Sequence, residues 1–238
     1  MKRLAGIGLT LVLAAAGSAH AATVVVDVPG TANPYLAGKP DGYACCGDTA
    51  PNGSPVLALT GFDTGAVITF SAIGGFSYTG GDPSPSADGN SGLVNLVSYD
   101  VTGIAGADGV RYNALVGVFL DDDGPIANMP PARFAAGQQD AATISPLLNQ
   151  IFWIGDGLTG TGTGDVQQFF APAGATRLYL GATDGSGWFN NSGLSEVTIT
   201  YTPLATTTVP EPATWAMMIL GFGGAGAAIR RRGVAQAL

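Results

Sequence analysis

Histidine is nearly missing from this chain. The one copy, His20, lies inside a segment that reads as a removable leader, so the body that follows has none. That excludes Ser-His-Asp and Cys-His nucleophile systems and His-ligated zinc. Glutamate is almost as scarce: Glu196 is the only one before Glu211. No aspartate pair is set apart by its surroundings for two-carboxylate glycoside chemistry, and the chain is expected not to be an enzyme. Basic residues are few as well. Between the two ends stand Lys39, Arg111, Arg133 and Arg177, against sixteen Asp and Glu. Such a body repels phosphate backbones, which excludes nucleic acid as a ligand, while oxygen-rich acidic surfaces suit hard cations such as calcium. Cysteine is limited to the adjacent Cys45 and Cys46. Outside the cytoplasm two cysteines are expected to pair, but neighbouring side chains diverge along an extended chain. A vicinal disulfide, free thiols and links to another chain all remain open. Charged residues make up only 11%, glycine numbers 37, and no long amphipathic helix is evident. The body therefore relies on strands and turns.

The two ends carry the strongest patterns. Lys2 and Arg3 precede an apolar run from Leu4 to Ala16, and small residues lead to Ala19-His20-Ala21. This is the order of a secretory signal peptide, forming an N-terminal signal helix over 1–21 with the mature chain starting at Ala22. At the other end, Val209-Pro210-Glu211-Pro212 precedes an apolar run from Ala213 to Ile229 and then Arg230, Arg231 and Arg232. The run is near the lower length limit of a membrane span, roughly 17 to 25 residues. The arginines would stay on the cytoplasmic side and leave everything upstream outside. Residues 209–232 resemble the PEP-CTERM sorting signal in its variant with Trp-Ala after the PEP. The resemblance implies recognition by an exosortase, with cleavage of the tail near Pro210; an uncleaved single-pass anchor is the alternative. Either way the body is exported, to the cell envelope, its outer surface or the extracellular matrix. The implied organisation is a leader over 1–21, a body over 22–203, a linker and PEP motif over 204–212, and a transmembrane sorting helix with a basic tail over 213–238.

Within the body, strand-like segments recur between clusters of Gly, Pro, Asn and Asp: Thr23 to Val28, Val56 to Thr60, Ala66 to Ala72, Ala114 to Leu120, Ile151 to Ile154, Arg177 to Leu180 and Val197 to Tyr201. In the last of these, alternation puts Val197, Ile199 and Tyr201 on one face and two threonines on the other. Thr79 to Asn90 reads as a turn cluster, Gly155 to Gly164 as a glycine-rich surface loop, and Arg133 to Asn149 has room for a short helix. Short strands at regular spacing indicate an all-β fold, a β-sandwich.

One loop concentrates oxygen donors. Asp184-Gly185-Ser186-Gly187-Trp188-Phe189-Asn190-Asn191-Ser192-Gly193 joins two expected strands with one carboxylate and two side-chain amides. Calcium accepts carboxylate, amide and main-chain oxygens, although the same residue types also build plain turns. Here the chain resembles the bacterial calcium-dependent galactose-binding lectins of the PA-I type. The likeness comes in ordered pieces: Gly65 to Thr69 through Phe76-Ser77-Tyr78, Asn113 to Gly117, Phe170-Ala171-Pro172, Arg177 to Gly181, and Asp184 through Gly193. It implies a lectin-like jelly roll in which Tyr78 gives a main-chain oxygen to calcium and Asp184, Asn190 and Asn191 give side-chain oxygens. Gly187 or Trp188 would give a further main-chain oxygen, because the loop is one residue shorter than the family spacing. It further implies that the metal binds two adjacent sugar hydroxyls, so that Asp184, Trp188, Asn190 and Asn191 also form the carbohydrate site. Trp188 is then either a stacking surface for the sugar ring or a partly buried loop anchor. The histidine of the family's sugar-contacting loop has no counterpart; Asp82 or Asp88, in the segment Gly81 to Asn90, is expected only to lie near that place. Asp121-Asp122-Asp123 reads as a second cation site or as a solvated turn. The expected partner is an extracellular glycan or exopolysaccharide. The competing expectation is a structural matrix or biofilm protein of the same fold that binds no sugar.

Overall fold

A computed structural model describes residues 20–90, 92–96, 99–203, 217–224 and 230. The chain divides after Leu204 into two units. The leader before His20, the motif Pro210-Glu211-Pro212, and Arg231 and Arg232 lie outside the described residues. In the second unit, residues 217–224 are helical and exposed, as is Arg230. Among the described residues no helix is long and apolar enough to cross a membrane, so the expected sorting helix over 213–238 is described only in part.

The first unit is all-β, and its strands follow the alternation of its sequence. Strand β1 (Ala22–Pro29) turns Val24, Val26 and Val28 inward and Val25 and Asp27 outward. The remaining strands of the two main sheets are β2 (Val56–Thr60), β3 (Val67–Ser77), β4 (Leu115–Leu120), β5 (Thr143–Ile144), β6 (Ile151–Trp153), β7 (Gln168–Phe170), β8 (Arg177–Ala182) and β9 (Ser192–Tyr201). The larger sheet runs β1-β9-β3-β7-β5 and the smaller one β6-β4-β8-β2. Strand β9 sits inside the larger sheet, pairing antiparallel with β1 from Ala22↔Tyr201 to Pro29↔Leu194 and with β3 from Ser192↔Ser77 to Thr200↔Thr69. The apolar run of β4, Leu-Val-Gly-Val-Phe-Leu, is buried throughout, as befits a strand covered on both faces. Gly117 is required there, because a Cβ would stand 2.5 Å from the ring of Phe152.

One core serves both sheets. Ile68, Phe70, Val197 and Ile199 of the larger sheet join Val116, Val118, Leu178 and Leu180 of the smaller. Phe152 on β6 meets Phe169 on β7 with ring centroids 5.9 Å apart, and Phe169 in turn stands edge-on to Phe70. Burying each such ring contributes roughly 1.5–3 kcal/mol.

Two local expectations are corrected. No helix forms between Arg133 and Asn149: the Gln167 side-chain amide takes the carbonyls of Gln139 and Ala141 at 2.7 and 2.8 Å, and Thr143–Ile144 instead pairs parallel with β7. The glycine-rich stretch Gly155 to Gly164 is not a plain loop. Leu158–Gly160 and Thr163–Val166 form a small hairpin, closed by Gly162 N–H donating to the Asp156 carboxylate at 2.6 Å. Two further ribbons lie outside the main sheets, one joining Ala44–Cys45 to Asp48–Thr49 and one joining Leu93–Leu96 to Ala107–Arg111.

Candidate functional site

The Asp184 loop leaves β8 at Ala182 and enters β9 at Ser192. At its centre Trp188–Asn190 makes one turn of 3-10 helix, with Gly187 before it at φ 75°. The exposed N–H groups at the start of such a turn need an acceptor, and none of the loop's own side chains supplies it. Asp48 does. Its Oδ2 accepts from Trp188 N at 3.0 Å and its Oδ1 from Phe189 N at 2.9 Å. Oδ2 also takes the side-chain amide of Asn33 at 3.0 Å. Asp48 reaches the loop from the Ala44–Thr49 ribbon, whose turn carries a disulfide between Cys45 and Cys46. That ribbon lies flush against the loop: Gly187 N donates to Cys46 O at 3.0 Å. The contact needs glycine at position 47, since a Cβ there would stand 2.9 Å from Gly187 Cα. Asp48 is a site residue that the sequence reading did not single out.

Trp188 is wholly buried, which settles its side chain as a loop anchor. Its indole N–H donates to Ala182 O at 2.8 Å and its ring stands edge-on to Tyr35 at 5.9 Å. The expectation that Trp188 stacks on a sugar is corrected: the ring has no face in solvent. The neighbouring Phe189 takes the outward position and is 72% exposed.

The structure does bring the two expected donor stretches together. Ser77, the last residue of β3, pairs with Ser192, the first of β9, so Tyr78 and Asn191 are the next residues beyond one rung of the ladder. Ser192 Oγ donates to Gly81 O at 2.9 Å, and a Cβ on Gly80 would lie 3.0 Å from Asn190 O. The turn after Tyr78 therefore borders the asparagine pair. The Tyr78 ring is partly exposed and tilts against Tyr112 at 5.1 Å.

Within this convergence, Asp184 is 4% exposed and Asn191 8%. Asp184 Oδ1 accepts from Gly185 N, but Oδ2 has no hydrogen-bond partner. Asn191 donates through Nδ2 to Gly30 O at 3.0 Å, and its Oδ1 also has none. Burial pushes the Asp184 carboxyl above the usual aspartate range. The Gly185 N–H, the Asn191 side chain and the Ser186 N–H oppose that shift, and the charge on Asp48 adds to it. Asn190 is exposed. Of the two carbonyls expected as alternatives, Gly187 O accepts Asn190 N at 3.4 Å and Trp188 O accepts Asn191 N at 3.0 Å. Among the described residues no group of three or more His, Cys, Asp or Glu side chains is placed to hold a metal. Any cation here would rest on one carboxylate, amide oxygens and main-chain oxygens.

The other acidic candidates lie apart from this loop's hydrogen bonds. Asp88 is buried and accepts Asp156 N at 2.9 Å through Oδ1, while Asp82 is exposed. Asp121 Oδ1 caps Gly124 N at 2.8 Å and Asp122 Oδ1 takes the Thr176 hydroxyl at 2.7 Å, the arrangement of a turn.

The sorting end matches a known family model. Residues 208–232 fit the PEP-CTERM protein-sorting motif, which marks the chain as an exported, exosortase-sorted protein of the cell envelope. No curated protein matches the chain.

Proposed function

We propose that this exported, exosortase-sorted protein carries a calcium-dependent carbohydrate-binding module, with Asp184, Asn191, Asn190 and the main-chain oxygen of Tyr78 as the groups that hold the metal. The observation that carries the reading is the pair of buried acceptors without partners, Asp184 Oδ2 and Asn191 Oδ1, in one loop. A buried polar group left unsatisfied costs roughly 1–3 kcal/mol, more when charged. Both acceptors belong to one loop, and a cation held between them would relieve both. Calcium takes 6–8 oxygen ligands, and the donor set fits it. Gly187 O and Trp188 O each accept one N–H and keep a second lone pair for a further contact.

When bound, calcium supplies open coordination positions for two adjacent hydroxyls of a sugar. The chain's own part is to hold the oxygens still. Asp48 fixes the helical turn through Trp188 N and Phe189 N, Trp188 anchors it in the core, and the Ser77↔Ser192 pair sets the distance to Tyr78. Preorganisation of this kind lowers the ordering cost of binding. The fitting partner is an extracellular glycan or exopolysaccharide, on the outer surface or in the matrix.

One observation favours a second reading, a structural matrix component with no sugar ligand. The loop is tethered by Asp48 through protein hydrogen bonds alone, so it keeps its shape without metal. Calorimetry separates the two. Methyl β-galactopyranoside titrated into calcium-loaded protein gives saturable heat that disappears in EDTA if the first reading holds. Absence of heat under both conditions supports the structural role.

A further inference from the structure

A cleft of about 320 Å³ opens beside the same loop, lined by Thr31, Asp48, Thr49, Asn52, Phe189 and two glycines. Its volume is near the lower end for ligand pockets, roughly 300–1,000 Å³. That is room for one pyranose ring and a few waters, not for a folded peptide segment.

The chemistry of the walls is selective. Among the described residues, the hydroxyls of Thr31 and Thr49 and the amide of Asn52 make no side-chain hydrogen bond. Together they offer donors and acceptors to a ligand that carries both, as hydroxyl groups do. Asp48 is the one ionisable group in the wall, and its carboxylate already accepts from Asn33, Trp188 and Phe189. It has little left for a cation. No lysine or arginine lines the cleft, and the chain's net charge is −8, so an anion is not drawn in. A neutral, polyhydroxylated ligand is what remains.

Phe189 supplies the apolar surface that such a ligand needs. The loop buries Trp188 and turns the next ring out to 72% exposure, although burying a phenylalanine is worth roughly 1.5–3 kcal/mol. The ring does not hang on a loose strand: its own N–H is clamped to Asp48 Oδ1 at 2.9 Å, and the residue before it is locked in the core. An aromatic side chain on a fixed backbone beside solvent-facing hydroxyls and an amide matches the two-sided character of a sugar ring, apolar on its C–H face and polar at its rim.

We infer that this cleft is a second, calcium-independent subsite for one neutral saccharide ring, with Phe189 as its stacking platform and Asn52, Thr31 and Thr49 as its hydrogen-bonding wall. The inference rests on the carbohydrate reading for the class of polymer, but not on the metal. Because Phe189 and Asn191 belong to one loop, a polysaccharide chain engages both points together, and each weak contact raises the effective concentration at the other.

The test is amide NMR on the full chain in a detergent without a sugar head group, using methyl β-glucopyranoside and methyl β-galactopyranoside as probes. With EDTA present, at least one glycoside shifts the amides of Gly47, Thr49 and Gly53 saturably. Phe189→Ala and Asn52→Ala, both at exposed positions that leave the fold intact, each weaken that binding about five-fold. Silent cleft amides in EDTA for both probes, or shifts unchanged by both substitutions, overturn the subsite. The outcomes separate from those of the calcium site. Shifts confined to Asp184–Asn191 and dependent on calcium sink the cleft and spare the metal reading. Cleft shifts in a protein that takes up no calcium do the reverse.

Discussion

Asp184 is the residue on which the account turns. Its carboxyl is raised above the ordinary aspartate value of about 3.9, chiefly by burial. The folded state thus holds a proton at pH values where the unfolded chain has released it. The corresponding stability is complete below the unfolded value and is lost as pH rises through the raised folded value. In EDTA, the urea midpoint of the wild type is therefore expected to fall across that window. Asp184→Asn is expected to flatten its share of the fall; the share from Asp88, also raised first by burial, remains. An amide at this position removes the cost of a buried charge, so the variant is expected to gain about 1 kcal/mol over metal-free wild type near neutral pH. A variant less stable than the wild type at neutral pH would show that the hydrogen bonds accepted by the carboxylate outweigh the cost of burying its charge. At this scale the sequence was only partly legible. Asp184, Asn190 and Asn191 stood out by residue type, Tyr78 only through the family resemblance, and the fold brings their stretches together. Trp188 and Phe189 could not be told apart: in a single helical turn no alternation assigns inside and outside. The choice was made by Tyr35 and Ala182 O.

Among elements, the loop and the Ala44–Thr49 ribbon behave as one unit because Asp48 joins them. Asp48→Ala strips the acceptor from Asn33 Nδ2, Trp188 N and Phe189 N at once. Leaving buried donors unpaired is expected to lower stability by about 3 kcal/mol, read from the urea midpoint at constant slope. A change below about 0.5 kcal/mol would mean that the turn stands without its cap. Seven of the nine strands of the two main sheets, all but β5 and β7, were readable because at least one face of each is buried. Val56–Thr60 was found to the residue, and Val197 to Tyr201 is the C-terminal half of β9. What escaped was set by distant partners or by composition. Asp48 acts on a backbone 140 positions away, which no local pattern reports. The Leu158–Val166 hairpin was hidden by its glycines. The stretch from Arg133 to Asn149 had helical length, but the Gln167 side chain claims two of its carbonyls.

For the whole molecule, the division after Leu204 and the motif match over 208–232 separate a β body from a sorting end. That end was the most legible feature of the sequence, since its order of motif, apolar run and arginines is local and needs no tertiary context. Mass spectrometry of the exported protein is expected to find a C-terminus near Pro210, and replacing Pro210, Glu211 and Pro212 together with alanine is expected to leave the tail attached. An exported wild-type chain still ending in Arg230-Arg231-Arg232 and the residues beyond would mean an uncleaved anchor.

The central claim, that the buried oxygens of Asp184 and Asn191 are there for a cation, is tested most directly by calorimetric titration of calcium into the metal-free full chain. The account predicts one saturable site per chain, abolished in Asp184→Asn while that variant stays folded. No calcium heat at millimolar concentration, or equal affinity in the wild type and Asp184→Asn, would contradict it.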